Sequence, residues 1–208
     1  MTTRTDTLPL SRERILQCAL AVADQDGLDS ASLRRVASEL GVHVTSLYHH
    51  VPTKEALLDG IVEELLACAE LPLGGIAWDQ WVRTFVDEIA RLAVDHPGAF
   101  AVLMRRPVQG PRATATFEVG LEAFHRAGMT PQESYAAVKS VALAVLGCCL
   151  ERAAAATGEI AGLQTDVESL SWQDFPVLRE ASATIDEIDL VATVREVLVA
   201  GLAACFTR

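Results

Sequence analysis

The densest group of chemically useful side chains lies between Ser32 and Lys54. Thr45, Ser46, Tyr48 and His49 form a polar, outward set, while Val42, Leu47 and Val51 keep the spacing of a packed face. Hydroxyls suit phosphates and base edges, and the methyl-bearing pair Val44 and Thr45 suits thymine methyl groups. A short polar helix held against a preceding apolar one is the layout of a helix-turn-helix, whose second helix enters the major groove of duplex DNA. An ordinary helical hairpin with a solvated polar face would carry the same residues, so the pattern alone leaves both readings open.

Other constellations are weaker. Arg105-Arg106 before Pro107 reads equally well as a ligand clamp or a solvated pair, and Glu151 borders an apolar helix where it can face a ligand or a partner. His96 before Pro97 reads first as a loop histidine. No Ser-His-Asp or Cys-His set, phosphate loop or metal-ligand spacing is recognisable, which gives an expectation of no catalytic residues, no metal and no cofactor. The five cysteines are odd in number and lack Cys-x-x-Cys spacing. They read as small buried hydrophobes in a reducing compartment.

The elements that must position these groups read as helices throughout. Ser11 caps a first helix with Ile15, Leu16, Ala19, Leu20 and Ala23 on one face, and Gly27 stops it. Ser32 caps a second, with Leu33, Val36, Ala37 and Leu40 at helical spacing, and Gly41 ends it. A short third helix spans Val44 to His50, and Thr53 caps a fourth that shows an apolar stripe from Leu57 to Ala69. Leu71 to Gly75 marks a boundary. A fifth helix starts near Trp78, a short one covers Ala99 to Met104, and another runs from Pro111 to Ala127. Thr130-Pro131 opens a long helix. Residues 157–171 read as a loop, Phe175 to Ala183 as a short helix and Glu187 to Phe206 as the last. No stretch alternates with period two, so no sheet is expected.

The chain has 208 residues and a formal net charge of −11. Residues 1–56 balance six basic against seven acidic side chains, whereas residues 57–208 set eleven against twenty-one. The acidity that would repel DNA therefore belongs to the C-terminal part. The longest apolar stretch, Val141 to Leu150, is short of the roughly 20 residues that cross a bilayer, so no membrane role is expected. Met1 to Leu10 is polar and lacks an apolar signal segment, which gives a cytoplasmic expectation.

The runs Arg14 to Leu20, Leu33 to Val42 and Ser46 to Leu58 together resemble the DNA-binding domain of the TetR family of repressors, without a gap over residues 11–65. The resemblance implies an all-α chain of about nine to ten helices. Residues 1–56 would form a three-helix helix-turn-helix domain, and residues 57–208 a larger helical ligand-binding and dimerisation domain. It implies that Tyr48 and Lys54 grip phosphates and that Ser32 caps the second helix and touches the backbone. Arg34, Val44, Thr45, Ser46 and His49 would face bases or the groove. His43 departs from the small hydroxyl residue common at its place.

The C-terminal part is similar to the tetracycline-repressor branch at Trp78 to Arg83, Arg106-Pro107, Leu121 to Gly128 and Val145 to Glu151. That likeness implies a homodimer through helices 131–156 and 187–206. Residues 141–150 are apolar all round and need cover on more than one side. Val191, Val194, Leu198, Gly201 and Cys205 have the spacing of a packed seam. Where the branch has its metal-binding histidine this chain has Val102, and Glu70 and Phe85 stand where it has a further histidine and an asparagine. The expected inducer is therefore apolar or aromatic, with no magnesium requirement. It would be lined by Phe85, Ile89, Val102, Phe117, Leu121 and Leu146, with Arg105 or Arg106 and Glu151 as polar anchors. The leading expectation is a repressor released from a palindromic operator when a small molecule shifts the population of conformations. The rivals are an activator of the same fold, and a helical enzyme or carrier that does not bind DNA.

Overall fold

The computed structural model describes residues 9–108, 110–157, 174–182 and 188–205. Within them the chain is helical: α1 (Arg12–Asp26), a 3-10 turn (Leu28–Ser30), α2 (Leu33–Leu40), α3 (Val44–Tyr48), α4 (Lys54–Ala67), α5 (Trp78–Asp95), α6 (Pro97–Phe100), α7 (Val102–Arg105), α8 (Pro111–Arg126), α9 (Pro131–Thr157), α10 (Pro176–Ser182) and α11 (Leu190–Cys205). Helices α6 and α7 are two pieces of one stretch interrupted at Ala101. The expected loop beyond residue 157 and the outer ends of the last two expected helices lie outside the described residues.

Local chemistry fixes the boundaries. Ser11, Ser32 and Thr53 each accept a hydrogen bond from the backbone N–H three residues on, at 3.2, 3.3 and 3.0 Å. Each satisfies a donor that the first helical turn leaves open. At α9, Thr130 and Glu133 form a reciprocal box: the Glu133 N–H donates to Thr130 Oγ1 at 3.3 Å, and the Thr130 N–H to Glu133 Oε2 at 2.8 Å. The Thr130 N–H and hydroxyl, both donating to Glu133 Oε2, hold that carboxyl below its ordinary range. Gly41 closes α2 at φ 65°, where a side chain would be strained, and its neighbour Val42 donates back to Ala37 O.

One buried cluster runs from Ile15 to Val191. In the head, α1, α2 and α3 enclose Leu16, Leu33, Val36, Leu47 and Val51. In the body, Trp81 stacks on Phe85 with ring centroids 4.9 Å apart and meets Phe124 edge-on. Helix α4 packs on both α1 and α8, and so belongs to both halves. Gly98 lets α6 sit directly on the end of α1, since a Cβ there would lie 2.3 Å from Ala23 O.

Helix α9 is the long central element, against α5, α6, α8 and α11. Ser134, Val138, Val141, Val145, Cys149 and Ala153 face inward at steps of three and four, whereas Tyr135 and Leu143 face out. The expectation that 141–150 needs cover on more than one side is met on one side within the single chain. By length and composition, Pro131–Ala153 would also suffice to cross a membrane; a third of that stretch is buried among the neighbouring helices. Burial pushes the Cys149 thiol up to about 12, so it behaves as a small hydrophobe. Cys68 and Cys205 depart from the expected burial and are exposed, because they sit on the solvent sides of the ends of α4 and α11.

Candidate nucleic-acid interface and ligand cleft

The interface candidate is built on α2, the Gly41 turn and α3. Leu47 and Val51 are buried to 1% or less, and their anchoring sets which side of α3 is free. Thr45, Tyr48 and His49 are exposed, as are Arg34 on α2 and Lys54 at the first residue of α4. Ser46 is half-buried. Ser32 is half-buried, with its hydroxyl committed to the α2 cap. Val44, expected to face the groove, is half-buried and packs partly on the core. His43 precedes α3 without a side-chain bond to its first turn. Arg35 is held by Asp26 at 2.9 Å and by Glu39 one turn along.

The residues expected to line a ligand site range from the buried core to the half-buried sides of α8 and α9. Val102 is fully buried and Ile89 nearly so, inside the core rather than at a surface. Phe85 is half-buried and stacked on Trp81. Phe117 meets Tyr135 edge-on at 5.6 Å. Leu121, Leu146 and Glu151 are half-buried on α8 and α9. Arg106 is not free to clamp a ligand in this conformation, because its Nε and Nη2 donate to the two carboxylate oxygens of Asp59 at 2.7 and 3.0 Å. Arg105 pairs with Asp29. Both arginines thus tie the body to carboxylates of the α1–α4 region.

A third tie lies beside them. His96 Nδ1 meets Asp24 Oδ2 at 2.7 Å, and the Ala99 N–H donates to Asp24 Oδ1 at 3.1 Å. Asp24, Asp29 and Asp59 were not singled out by sequence, and nothing in their local spacing could have done so. Among the described residues no three His, Cys, Asp or Glu side chains converge on a metal-sized position.

A cleft of about 90 Å³ opens between α4, the α4–α5 connection and α8. Leu66, Ala69, Leu71, Pro72, Ala115 and Val119 supply its apolar walls, and Thr116 and Arg112 its polar groups. None of the nine expected ligand residues lines it. The reason is helical phase: Ala115, Thr116 and Val119 share a face of α8 that differs from the face of Phe117 and Leu121.

Comparison with known proteins places both halves. Residues 15–61 match the family model described as bacterial regulatory proteins, tetR family, and residues 71–204 match the tetracyclin repressor-like C-terminal domain. An HTH-type transcriptional regulator of Saccharopolyspora erythraea is 35% identical over 66% of this chain and 59% of its own length. The repressor DrrR1 of Streptomyces coeruleorubidus is 34% identical over 62% of this chain and 48% of its own, so the chain spans about half of these two relatives. The class D tetracycline repressor of Escherichia coli is 29% identical over 86% of this chain and 82% of its own. In three dimensions the chain is similar to ActR of Streptomyces coelicolor, at a TM-score of 0.80 and 26% identity, covering 96% of this chain and 98% of that one. ActR has also been solved with actinorhodin. With both domain models matched in sequence order over most of its length, this chain belongs to the TetR family of bacterial regulatory proteins and carries a tetracycline-repressor-like C-terminal domain.

Proposed function

We propose that the chain is a ligand-responsive transcriptional repressor of the cytoplasm, with residues 1–56 holding duplex DNA and residues 57–208 binding a small molecule and a second copy. The observation that carries the reading is the α2–α3 unit, in which Leu33, Val36, Leu47 and Val51 are buried while Arg34, Thr45, Tyr48, His49 and, at the start of α4, Lys54 are all exposed. Tyr48 and Lys54 are read as phosphate contacts. Arg34, Val44, Thr45, Ser46 and His49 are read as facing the groove, and Ser32 as setting the pitch of α2.

The second copy is read onto the outer sides of α9 and α11. Leu143 is 61% exposed and Val197 65%, with Gly147, Ala200, Gly201 and Ala204 around them allowing close helix approach. Two-fold symmetry in the protein demands a palindromic operator.

The cleft between α4 and α8 supports an apolar or aromatic inducer, in keeping with actinorhodin on ActR. Sites for drug-sized ligands run from about 300 Å³ upward, so occupancy requires the cleft to widen. Widening moves α4, which carries the head, and α8 apart. The ligand then favours a conformation whose two heads no longer match two half-sites.

The test is selection of a duplex from a random library, followed by retardation and footprinting. Recovery of a palindrome protected on both half-sites, and its release by an aromatic small molecule such as actinorhodin, is the expected result. Failure to recover any duplex would remove the repressor reading.

A further inference from the structure

The docking face of the head carries more imidazole than permanent positive charge. Residues 1–56 are close to neutral, and Arg35 is spent on Asp26 and Glu39. On the α2–α3 side this leaves Arg34 and Lys54 as exposed permanent cations. Between them stand three exposed histidines that bracket the recognition helix: His43 immediately before α3, then His49 and His50 immediately after it. Duplex DNA presents about one negative charge per 1.7 Å of axis, and the two exposed permanent cations on α2 and at the start of α4 meet few of them.

The other ionisable groups on these elements are Arg34, Arg35 and Glu39 on α2, Tyr48 on α3, and Lys54, Glu55, Asp59, Glu63 and Glu64 on α4, where Asp59 is paired with Arg106 and burial pushes the Glu64 carboxyl up. The Glu55 carboxyl is held below its ordinary range by its own backbone N–H and by Thr53, so it stays anionic across the range in which imidazoles titrate. The group that changes charge between pH 5 and 8 on this face is imidazole.

We propose that operator binding is coupled to proton uptake at His43, His49 and His50, so that mild acidification tightens the grip on DNA. The proposal rests on the DNA-binding reading above. Phosphates close to an imidazole favour its charged form. The complex then holds more protons than the separated molecules, and affinity falls as pH rises through the imidazole range. Each imidazolium that meets a phosphate also releases a counterion, adding about 1 to the slope of log affinity against log salt.

The experiment uses the full chain and the duplex recovered by selection. Affinity is measured from pH 5.8 to 8.2 and, at each end, over a salt series. The expected result is an affinity about tenfold lower at the alkaline end, with a shallower salt slope there. In the variant H43Q/H49Q/H50Q both differences shrink to within about twofold, because glutamine keeps hydrogen-bonding capacity without titrating. Melting and helicity confirm that the variant is folded. Should it not fold, H43Q and H49Q singly must each remove part of the pH dependence. Affinity independent of pH in the parent overturns the proposal. So does a pH dependence that survives in the folded triple variant, since it would then belong to another group such as His96 or His125, or one that none of H43Q, H49Q and H50Q reduces singly. A duplex that is bound but shows no proton linkage leaves the repressor reading standing; if no duplex is bound at any pH, the repressor reading itself has failed.

Discussion

The head and the body solve the burial of their helices in opposite ways. In the head every apolar face meets another within the chain: Leu33, Val36, Leu47 and Val51 are buried, and what remains outside α3 is Thr45, Tyr48 and imidazole. In the body, α9 and α11 bury one side and present Tyr135, Leu143 and Val197 on the other. The head is therefore finished as a single chain and offers polar chemistry to a polar partner. The body offers apolar surface that only another apolar surface can cover. Between the two sits a polar seam, Asp24 with His96 and Asp29 with Arg105, continued by Arg106 on Asp59 of the shared helix α4. A seam of ion pairs can re-form in a second arrangement more readily than an interlocked apolar core can.

The largest expected effect comes from breaking the head's packing. Leu47→Ala removes a fully buried side chain from a five-residue helix that has little else to hold it. It should cost about 2–5 kcal/mol and abolish DNA retardation, read by urea unfolding and a binding assay. Leu73→Ala, at a residue 97% exposed beside the cleft, should stay within about 0.5 kcal/mol of the parent. Equal costs at the two positions would dissolve the contrast.

Next in size is Leu143→Arg. The side chain is 61% exposed in the single chain, so the monomer should fold with little change in helicity. Placed in an apolar seam between two copies, the guanidinium would be buried without a partner. Sedimentation should report a monomer, and affinity for a two-half-site duplex should fall at least about tenfold as avidity is lost. A dimeric variant with full affinity would show that α9 does not form the seam. Val197→Arg on α11 is the companion test. Leu198, which the sequence spacing assigns to the seam, is half-buried against the chain's own core, so its substitution reads folding as well.

The helix-turn-helix was legible in sequence because its determinants are local. Capping serine, apolar spacing, stop glycine and polar third helix all lie between Ser32 and Lys54, and the structure keeps each of them. The lining of the cleft between α4 and α8 and the partners of Arg105 and Arg106 were not legible, for two physical reasons. A helix turns 100° per residue, so Ala115, Thr116 and Val119, which line the cleft, stand on a different face of α8 from Phe117 and Leu121. Arg105 and Arg106 carry the chemistry of a clamp, but their partners Asp29 and Asp59 lie 76 and 47 positions away. Only the folded chain brings those carboxylates close enough to claim them.

A smaller effect is expected at the seam itself. Arg106→Ala frees both carboxylate oxygens of Asp59 on α4. If Arg106 were a ligand clamp, inducer affinity would fall with the substitution. With Arg106 acting as a tie between halves, inducer affinity stays within about threefold while operator affinity and inducer response change, since both depend on how α4 is held. Calorimetry with the inducer, beside retardation with the duplex, separates the two. A selective loss of inducer binding would return Arg106 to the clamp role.

The smallest effect divides the head's own contacts. Lys54 is exposed at the start of α4, whose Thr53 cap leaves other first-turn N–H groups open toward an anion. A lysine on a phosphate contributes to every sequence alike, so Lys54→Ala should weaken all duplexes nearly uniformly and lower the salt slope by about 1. Thr45 is exposed on α3 and uncharged. Its substitution by alanine removes a hydroxyl and a methyl group from the groove and releases no counterion. The salt slope should then hold while preference among operator variants shifts by about 1–3 kcal/mol at one base pair. The two variants together read the orientation of the head on DNA. If Thr45→Ala changed the salt slope and Lys54→Ala changed base preference, α3 would be docked in the reverse sense. An unchanged affinity in both would mean that the exposed face of α3 is not the face that meets the duplex.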